Sequence, residues 1–192
     1  MAGRAVDFRM KVGGLHTIAA DLPLFRPTHM IRLVDPTLPE DRLVIREMPS
    51  GGLLLLRLND SSHADPLGPT HDHARQILEF LDGALGAPAV RLYVHCHAGV
   101  SRSTATAYLA LATRLGPGRE DEAFDELLRV TVKPWPNRSL VEHADALLGR
   151  GGRLLAPLDR YRAAYPRRIE AYRRLHLRRC RTLPGYAAIM GV

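Results

Sequence analysis

A cysteine and an arginine separated by five residues, with a glycine between them and a helix-forming run behind, can hold an oxyanion and attack it. The stretch is Val94-His95-Cys96-His97-Ala98-Gly99-Val100-Ser101-Arg102-Ser103-Thr104. Successive backbone N–H groups in a turn that opens a helix point inward and make a nest for a tetrahedral anion. The positive helix end and the Arg102 guanidinium favour a thiolate at Cys96, which makes it nucleophilic near neutral pH. The guanidinium can also hold two phosphate oxygens in one fork, which a lysine could not do. Cleaving a phosphoester further requires an acid to protonate the departing oxygen. Asp60, in Arg57-Leu58-Asn59-Asp60-Ser61-Ser62, follows an apolar run directly and stands 36 residues before Cys96; Asp65 stands 31 residues before it and precedes Pro66. Asp60 is preferred because a strand end holds a side chain more firmly than a turn does.

These groups need strands that end at one place. Met30 to Val34 closes on Asp35-Pro36, and Leu53 to Leu58 closes on Asn59-Asp60; both are short apolar runs bounded by turn residues and read as buried strands. Val90 to His95, rich in β-branched and aromatic residues, reads as the central strand, running into the cradle. Between the second and third strands Ala74, Ile77, Leu78 and Leu81 follow helical spacing, with Thr70 as a cap. Ser103 to Leu115, nearly uncharged and stopped by Gly116-Pro117, predicts a buried helix, and the acidic residues 120–122 open another whose inner face carries Ala123, Phe124, Leu127 and Leu128. The alternation predicts an α/β domain with a central sheet of about four to five strands flanked by helices, over residues 1–150.

The cradle matches the HC-x5-R-[ST] signature of the cysteine-dependent protein tyrosine phosphatase superfamily, and the spacing of Asp60 resembles the dual-specificity phosphatases. From His29 to about Ala156, two thirds of the chain, it is similar to a group of short bacterial predicted tyrosine phosphatases. The shared features include the strand ending Asp35-Pro36, the Asp60 loop, the Ala-rich helix and the Pro136-Asn137-Arg138 element. The resemblance implies a two-step hydrolysis in which Cys96 forms a cysteinyl-phosphate that water then cleaves, with no cofactor required. It implies that His97, Ala98, Gly99, Val100, Ser101 and Arg102 bind the phosphoryl group, that His95 hydrogen-bonds around the cysteine, and that Ser103 helps the thiolate leave. It implies for Asn137 a bond near Asp60 or the attacking water, a role compatible with a plain helix N-cap. The chain departs from the long tyrosine phosphatases in lacking a Trp-Pro-Asp acid loop, a tyrosine-recognition segment and a glutamine loop. That implies a shallow site, open to phosphoserine and phosphothreonine as well as phosphotyrosine. His97, Ala98 and Val100 stand where phosphoinositide phosphatases carry extra lysines, which weighs against lipid headgroups.

Composition bounds the rest. The chain has 192 residues, 46% apolar and 24% charged, and its longest apolar runs are far too short to span a bilayer, which excludes a disordered or membrane-spanning chain. Charges in the first fourteen residues, where a signal peptide needs an apolar run, and only two cysteines predict a reduced, cytoplasmic compartment. Residues 151–192 hold ten arginines against Asp159 and Glu170, whereas the 17 basic and 18 acidic residues of 1–150 nearly cancel. This extension reads as a basic amphipathic helix from Pro166, with Ile169, Tyr172 and Leu175 to Leu177 along one side. Either Tyr161, Tyr165 and Tyr172 dock it on the domain, or it meets an acidic partner or an anionic surface; no nucleic-acid motif accompanies the charge. His63, His71 and His73 lack the companions of a metal site. Trp135 is expected to pack a loop over the core, and nothing places Cys180 beside Cys96. Substrates would be phosphorylated proteins or small phosphoesters. Two rivals share the cradle: a sulfur or arsenate transferase, and a catalytically silent module that binds phosphorylated partners.

Overall fold

The computed structural model of the protein describes residues 7–43, 48–61 and 65–182. Its strands are β1 (Asp7–Gly14), β2 (His29–Val34), β3 (Leu53–Arg57) and β4 (Ala89–Cys96). Its helices are α1 (Ile18–Phe25), α2 (His71–Leu85), α3 (Arg102–Leu115), α4 (Glu120–Val130), α5 (Arg138–Leu147), α6 (Leu155–Ala164) and α7 (Arg168–Thr182). The four strands form one parallel sheet of order β1-β4-β2-β3.

In β4 the two-residue period places Val90, Leu92, Val94 and Cys96 in the hydrophobic core, with Arg91, Tyr93 and His95 on the opposite face. The core face is covered by α3, which is buried from Arg102 to Ala112, and α3 is packed in turn by α2, α4 and α5. On the other face Tyr93 donates its hydroxyl hydrogen to Asp21 of α1 at 2.8 Å. Both faces of the sheet are therefore covered, as an all-parallel sheet requires. Thr70 caps α2 by accepting from the His73 N–H at 3.2 Å, and the His73 ring returns a bond to the Thr70 N–H.

Two elements lie outside the sequence expectation. β1 is an edge strand, with Phe8, Met10 and Val12 turned to the core and Arg9 and Lys11 alternating with them. α1 buries no residue and contains Pro23, so it carries no helical stripe. The C-terminal extension also differs from a single helix begun at Pro166. It contains two helices separated at Tyr165–Arg167, and Leu154 and Leu158, both fully buried, join the main core. The face of α7 turned to the domain carries Arg168, Tyr172, Leu175, His176 and Arg179, while Leu177 is 55% exposed. No helix among the described residues is long and apolar enough to cross a membrane.

Candidate active site

Because all four strands run the same way, their C-terminal ends meet on one edge of the sheet, where ligands of open α/β folds sit. β4 delivers Cys96, β2 delivers Asp35, β3 leads into Asp60, and β1 ends at Gly13-Gly14 behind the cradle. Cys96, 1% exposed, lies at the cradle floor with its Sγ 3.1 Å from the Ser103 Oγ. The turn that follows packs directly on the end of β1. Gly99 has φ +74°, and a Cβ there would lie 2.7 Å from the Gly13 carbonyl oxygen. The Leu15 N–H holds the same turn by donating to the His97 carbonyl at 2.9 Å.

Ser101 stands at the N-cap of α3 but makes no side-chain cap bond to it. Its hydroxyl donates instead to Asp60 Oδ1 at 2.6 Å, leaving the first N–H groups of the helix to the cradle. The same Asp60 oxygen accepts from Asn137 Nδ2 at 2.9 Å, and Nδ2 also donates to the Ser61 carbonyl at 2.9 Å. Asn137 Oδ1 meanwhile caps α5 by accepting from the Leu140 N–H at 3.1 Å. The structure thus brings Asp60, Ser101 and Asn137 into one hydrogen-bonded group. Asp65 is occupied elsewhere: its carboxylate accepts from the Leu67 N–H at 2.9 Å and from Asn59 Nδ2 at 3.1 Å within its own turn.

Arg102 is 2% exposed and its Nη1 donates to the Leu58 carbonyl at 2.5 Å and to Asp35 at 2.6 Å. Its Nε has no hydrogen-bond partner among the described residues, and Asp60 Oδ2 lies 3.9 Å away. A buried N–H without a partner calls for an explanation, and an anion seated in the cradle would supply one. Burial works against the charge of Arg102, but Cys96, Asp60 and Asp35 outweigh it and hold the guanidinium above its ordinary pKa. Asp35 answers in kind. Burial opposes its ionisation, yet the His97 ring, 3.0 Å away, and Arg102 hold the carboxyl below the usual range.

His95 is fully buried, and burial, reinforced by the neighbouring Arg32 charge, pushes its pKa down to about 3. Arg32 Nε donates to His95 Nε2 at 2.9 Å, so the ring proton sits on Nδ1, 3.5 Å from the Cys96 carbonyl. His95 is therefore a neutral strut under the cysteine's backbone.

Asp35, Gly14, Trp135 and α7 were not among the expected site residues. Asp35 was visible as a strand-end carboxylate, and Gly13-Gly14 as the close of an alternating run. Trp135, expected in a packing role, is half-buried. Arg162 stacks on its ring at 4.9 Å, and Trp135 also borders a cavity of about 230 Å³ lined by the cradle residues Ala98, Val100 and Ser101. α7 also borders the site, its Ile169, Tyr172, Arg173 and Leu175 lining the same cavity as Asp60, Ala98, Val100 and Ser101. Among the described residues no three His, Cys, Asp or Glu gather as metal ligands; His63 lies outside them. Cys180 is half-buried, 3.7 Å from His176 Nε2, and free, as is Cys96.

No family model and no curated protein matches the chain. Solved structures do. The human tyrosine phosphatase-like serine/threonine/tyrosine-interacting protein superposes with a TM-score of 0.55 at 21% identity, covering 73% of this chain and 91% of that one. Human DUSP28 gives 0.53 at 18% identity, over 73% and 94%. DUSP15 gives 0.54 at 17%, over 82% and 91%. The chain has the dual-specificity phosphatase fold of the cysteine-dependent protein tyrosine phosphatases, a four-stranded parallel sheet flanked by helices.

Proposed function

We propose that the protein is a cysteine-dependent phosphomonoesterase acting on phosphotyrosine, with phosphoserine and phosphothreonine as further substrates. Cys96 Sγ attacks phosphorus while the ester P–O bond breaks, and Asp60 gives its proton to the leaving oxygen. Water then attacks the cysteinyl-phosphate, Asp60 takes a proton back, and the S–P bond breaks to return the thiolate, with Ser103 donating to it. Arg102 and the N–H groups of residues 97–101 hold the phosphoryl oxygens, His95 fixes the Cys96 backbone, and Asn137 aims Asp60. Residues 1–150 form the catalytic unit, and 151–192 serve the substrate.

The observation that carries this reading is that Asp60, from the end of β3, is bonded to Ser101 inside the cradle that holds Cys96 and Arg102. A sulfur or arsenate transferase has less use for an acid placed there. Intact Cys96 and Arg102 argue against a silent phospho-binding module, and turnover separates the two.

Hydrolysis of p-nitrophenyl phosphate across pH by wild type, Cys96→Ser and Asp60→Asn tests the assignment. Cys96→Ser is expected to abolish turnover, and Asp60→Asn to remove the basic limb of the profile. Absence of turnover by the wild type, or an equal rate in Cys96→Ser, sinks the reading. Stable phosphopeptide binding without turnover would then favour the binding module.

A further inference from the structure

The Arg-rich extension does not hang free of the site. At its near end Arg168 donates to the Tyr161 hydroxyl at 2.8 Å and stacks on the Tyr165 ring at 4.2 Å. Tyr161 is itself packed against Phe124 of the domain, their ring centroids 5.4 Å apart. One turn further along α7, the Tyr172 hydroxyl donates to the Lys133 carbonyl. At the far end Arg179, half-buried, borders the same cavity as Ala98, and after burial its charge is what holds His16, in the turn after β1, below its ordinary pKa. The helix therefore crosses the mouth of the cradle from the Trp135 loop to the β1–α1 turn.

Between these anchors lies the cavity of about 230 Å³. Its floor is Asp60, Ala98, Val100 and Ser101, residues of the acid loop and the cradle. Its walls are mostly apolar, from Trp135 on one side and Ile169, Tyr172 and Leu175 of α7 on the other. A cavity of about 150 Å³ lined by such side chains suffices for one benzene ring. A phosphate seated in the cradle would thus place an aromatic ester group between Trp135 and Tyr172. Arg173, exposed and also bordering the cavity, makes no ion pair among the described residues. Glu170 is the one acidic residue of α7, against Arg168, Arg173, Arg174, Arg178, Arg179 and Arg181.

We propose that α7 is the substrate-reading wall of this site: it seats an aromatic phosphoester against Trp135 and Tyr172, and Arg173 pairs with an acidic residue beside the phosphotyrosine in the substrate peptide. The inference rests on the phosphomonoesterase reading and narrows it. The missing recognition segment of the long tyrosine phosphatases is replaced here by a helix from the other end of the chain, and selectivity comes from charge as well as depth.

The test uses the full-length chain and three phosphotyrosyl peptides that differ only in the neighbours of the phosphotyrosine: Glu, Gln or Lys. An exposed ion pair contributes up to about 1 kcal/mol, so replacing attraction by repulsion is worth roughly tenfold. The wild type is expected to prefer the Glu peptide over the Lys peptide by about tenfold in kcat/KM, carried by KM, and to lose the preference at 0.5 M salt. Arg173→Glu is expected to reverse the order. Because both peptides are compared within one protein, a general loss of folding or activity cancels. An unchanged ranking in Arg173→Glu overturns the proposal. So does a wild type that ignores peptide charge but is accelerated by anionic phospholipid vesicles, which would make α7 a membrane face. In both cases hydrolysis of p-nitrophenyl phosphate leaves the phosphatase reading standing; if that hydrolysis is absent, the reading itself falls and the inference with it.

Discussion

Asn137 joins stability to catalysis in a way that one pair of substitutions can separate. Its side chain is fully buried and makes three bonds: the cap to the Leu140 N–H at 3.1 Å, and donations to Asp60 and to the Ser61 carbonyl at 2.9 Å each. Asn137→Ala removes the cap, worth about 1 kcal/mol. It also strips two acceptors of a donor, at roughly 1 to 2 kcal/mol each once partial relaxation is allowed. The expected loss is about 3 to 5 kcal/mol in urea unfolding. Asn137→Ser keeps an oxygen at the cap position and forfeits the two donations, so it is expected to lose about 2 to 4 kcal/mol. Both variants remove one of the two donations to Asp60 Oδ1 and leave the one from Ser101. A charge-assisted bond worth about 1.5 to 3 kcal/mol, lost from an acid that must be aimed, corresponds to roughly a 10- to 100-fold fall in kcat/KM. That fall is expected to be largest for phenyl phosphate, whose leaving group most needs the proton, and smaller for p-nitrophenyl phosphate, whose better leaving group needs it less. The measurement is the ratio of the two substrates for wild type, Asn137→Ala and Asn137→Ser, beside their unfolding curves. A wild-type ratio in Asn137→Ser, together with the expected stability loss in Asn137→Ala, would show that Asn137 is a helix cap and nothing more.

Three further outcomes follow from the same geometry. Gly99→Ala places a Cβ 2.7 Å from the Gly13 carbonyl oxygen at φ +74°, so it should cost at least 100-fold in kcat through the cradle's distortion; activity within twofold of wild type would contradict the packing. His95 binds a proton far more readily unfolded than folded, so its contribution to stability is intact above about pH 6.5 and is lost as pH falls from there toward 3; His95→Gln, which keeps an acceptor for Arg32, should flatten that slope in urea midpoints, and parallel slopes would refute the assignment. Asp35→Asn removes a carboxylate 2.6 Å from Arg102, and inhibition by inorganic phosphate should tighten about fivefold, roughly 1 kcal/mol of relieved repulsion; a weaker inhibition would mean that Asp35 matters chiefly by orienting the guanidinium.

What the sequence displayed was local. The cradle is a contiguous motif, β2, β3 and β4 are apolar runs bounded by turn residues, and α2, α3 and α4 carry either a clean apolar stripe or a charge-free body with a Gly-Pro stop. What it concealed depends on pairing across the chain. β1 is half-exposed and its Arg9 and Lys11 mask the alternation of Phe8, Met10 and Val12; only its eight-residue register with β4 makes it a strand. Asp35 stands 67 residues from Arg102, and no period connects them. For α7 the basic, amphipathic character was legible, but the docked face was not. Leu177 is apolar and exposed, while His176 and Arg179 are polar and turned inward, because the helix is oriented by Tyr172 and the Lys133 carbonyl rather than by its own hydrophobic pattern.

The electrostatics of Arg102 tie the strand ends to the proposed chemistry. A guanidinium buried to 2% exposure and left unpaired would cost several kcal/mol, and here Asp35, the Leu58 carbonyl and the more distant Asp60 carboxylate answer it. Asp35 and Asp60 already face Arg102 before any substrate arrives, and the proposed mechanism adds the Cys96 thiolate as a third negative group. On the proposed mechanism a phosphomonoester dianion must join them, and like charges that close cannot all remain ionised without a compensating proton. The acid loop is where that proton has a use, since Asp60 is the carboxylate among these that borders the open cavity, whereas Asp35 is committed to Arg102 and His97. On the proposed mechanism substrate charge and general acid therefore meet at one arginine: the dianion that enters the cradle faces the same guanidinium that Asp60 and Asp35 already face.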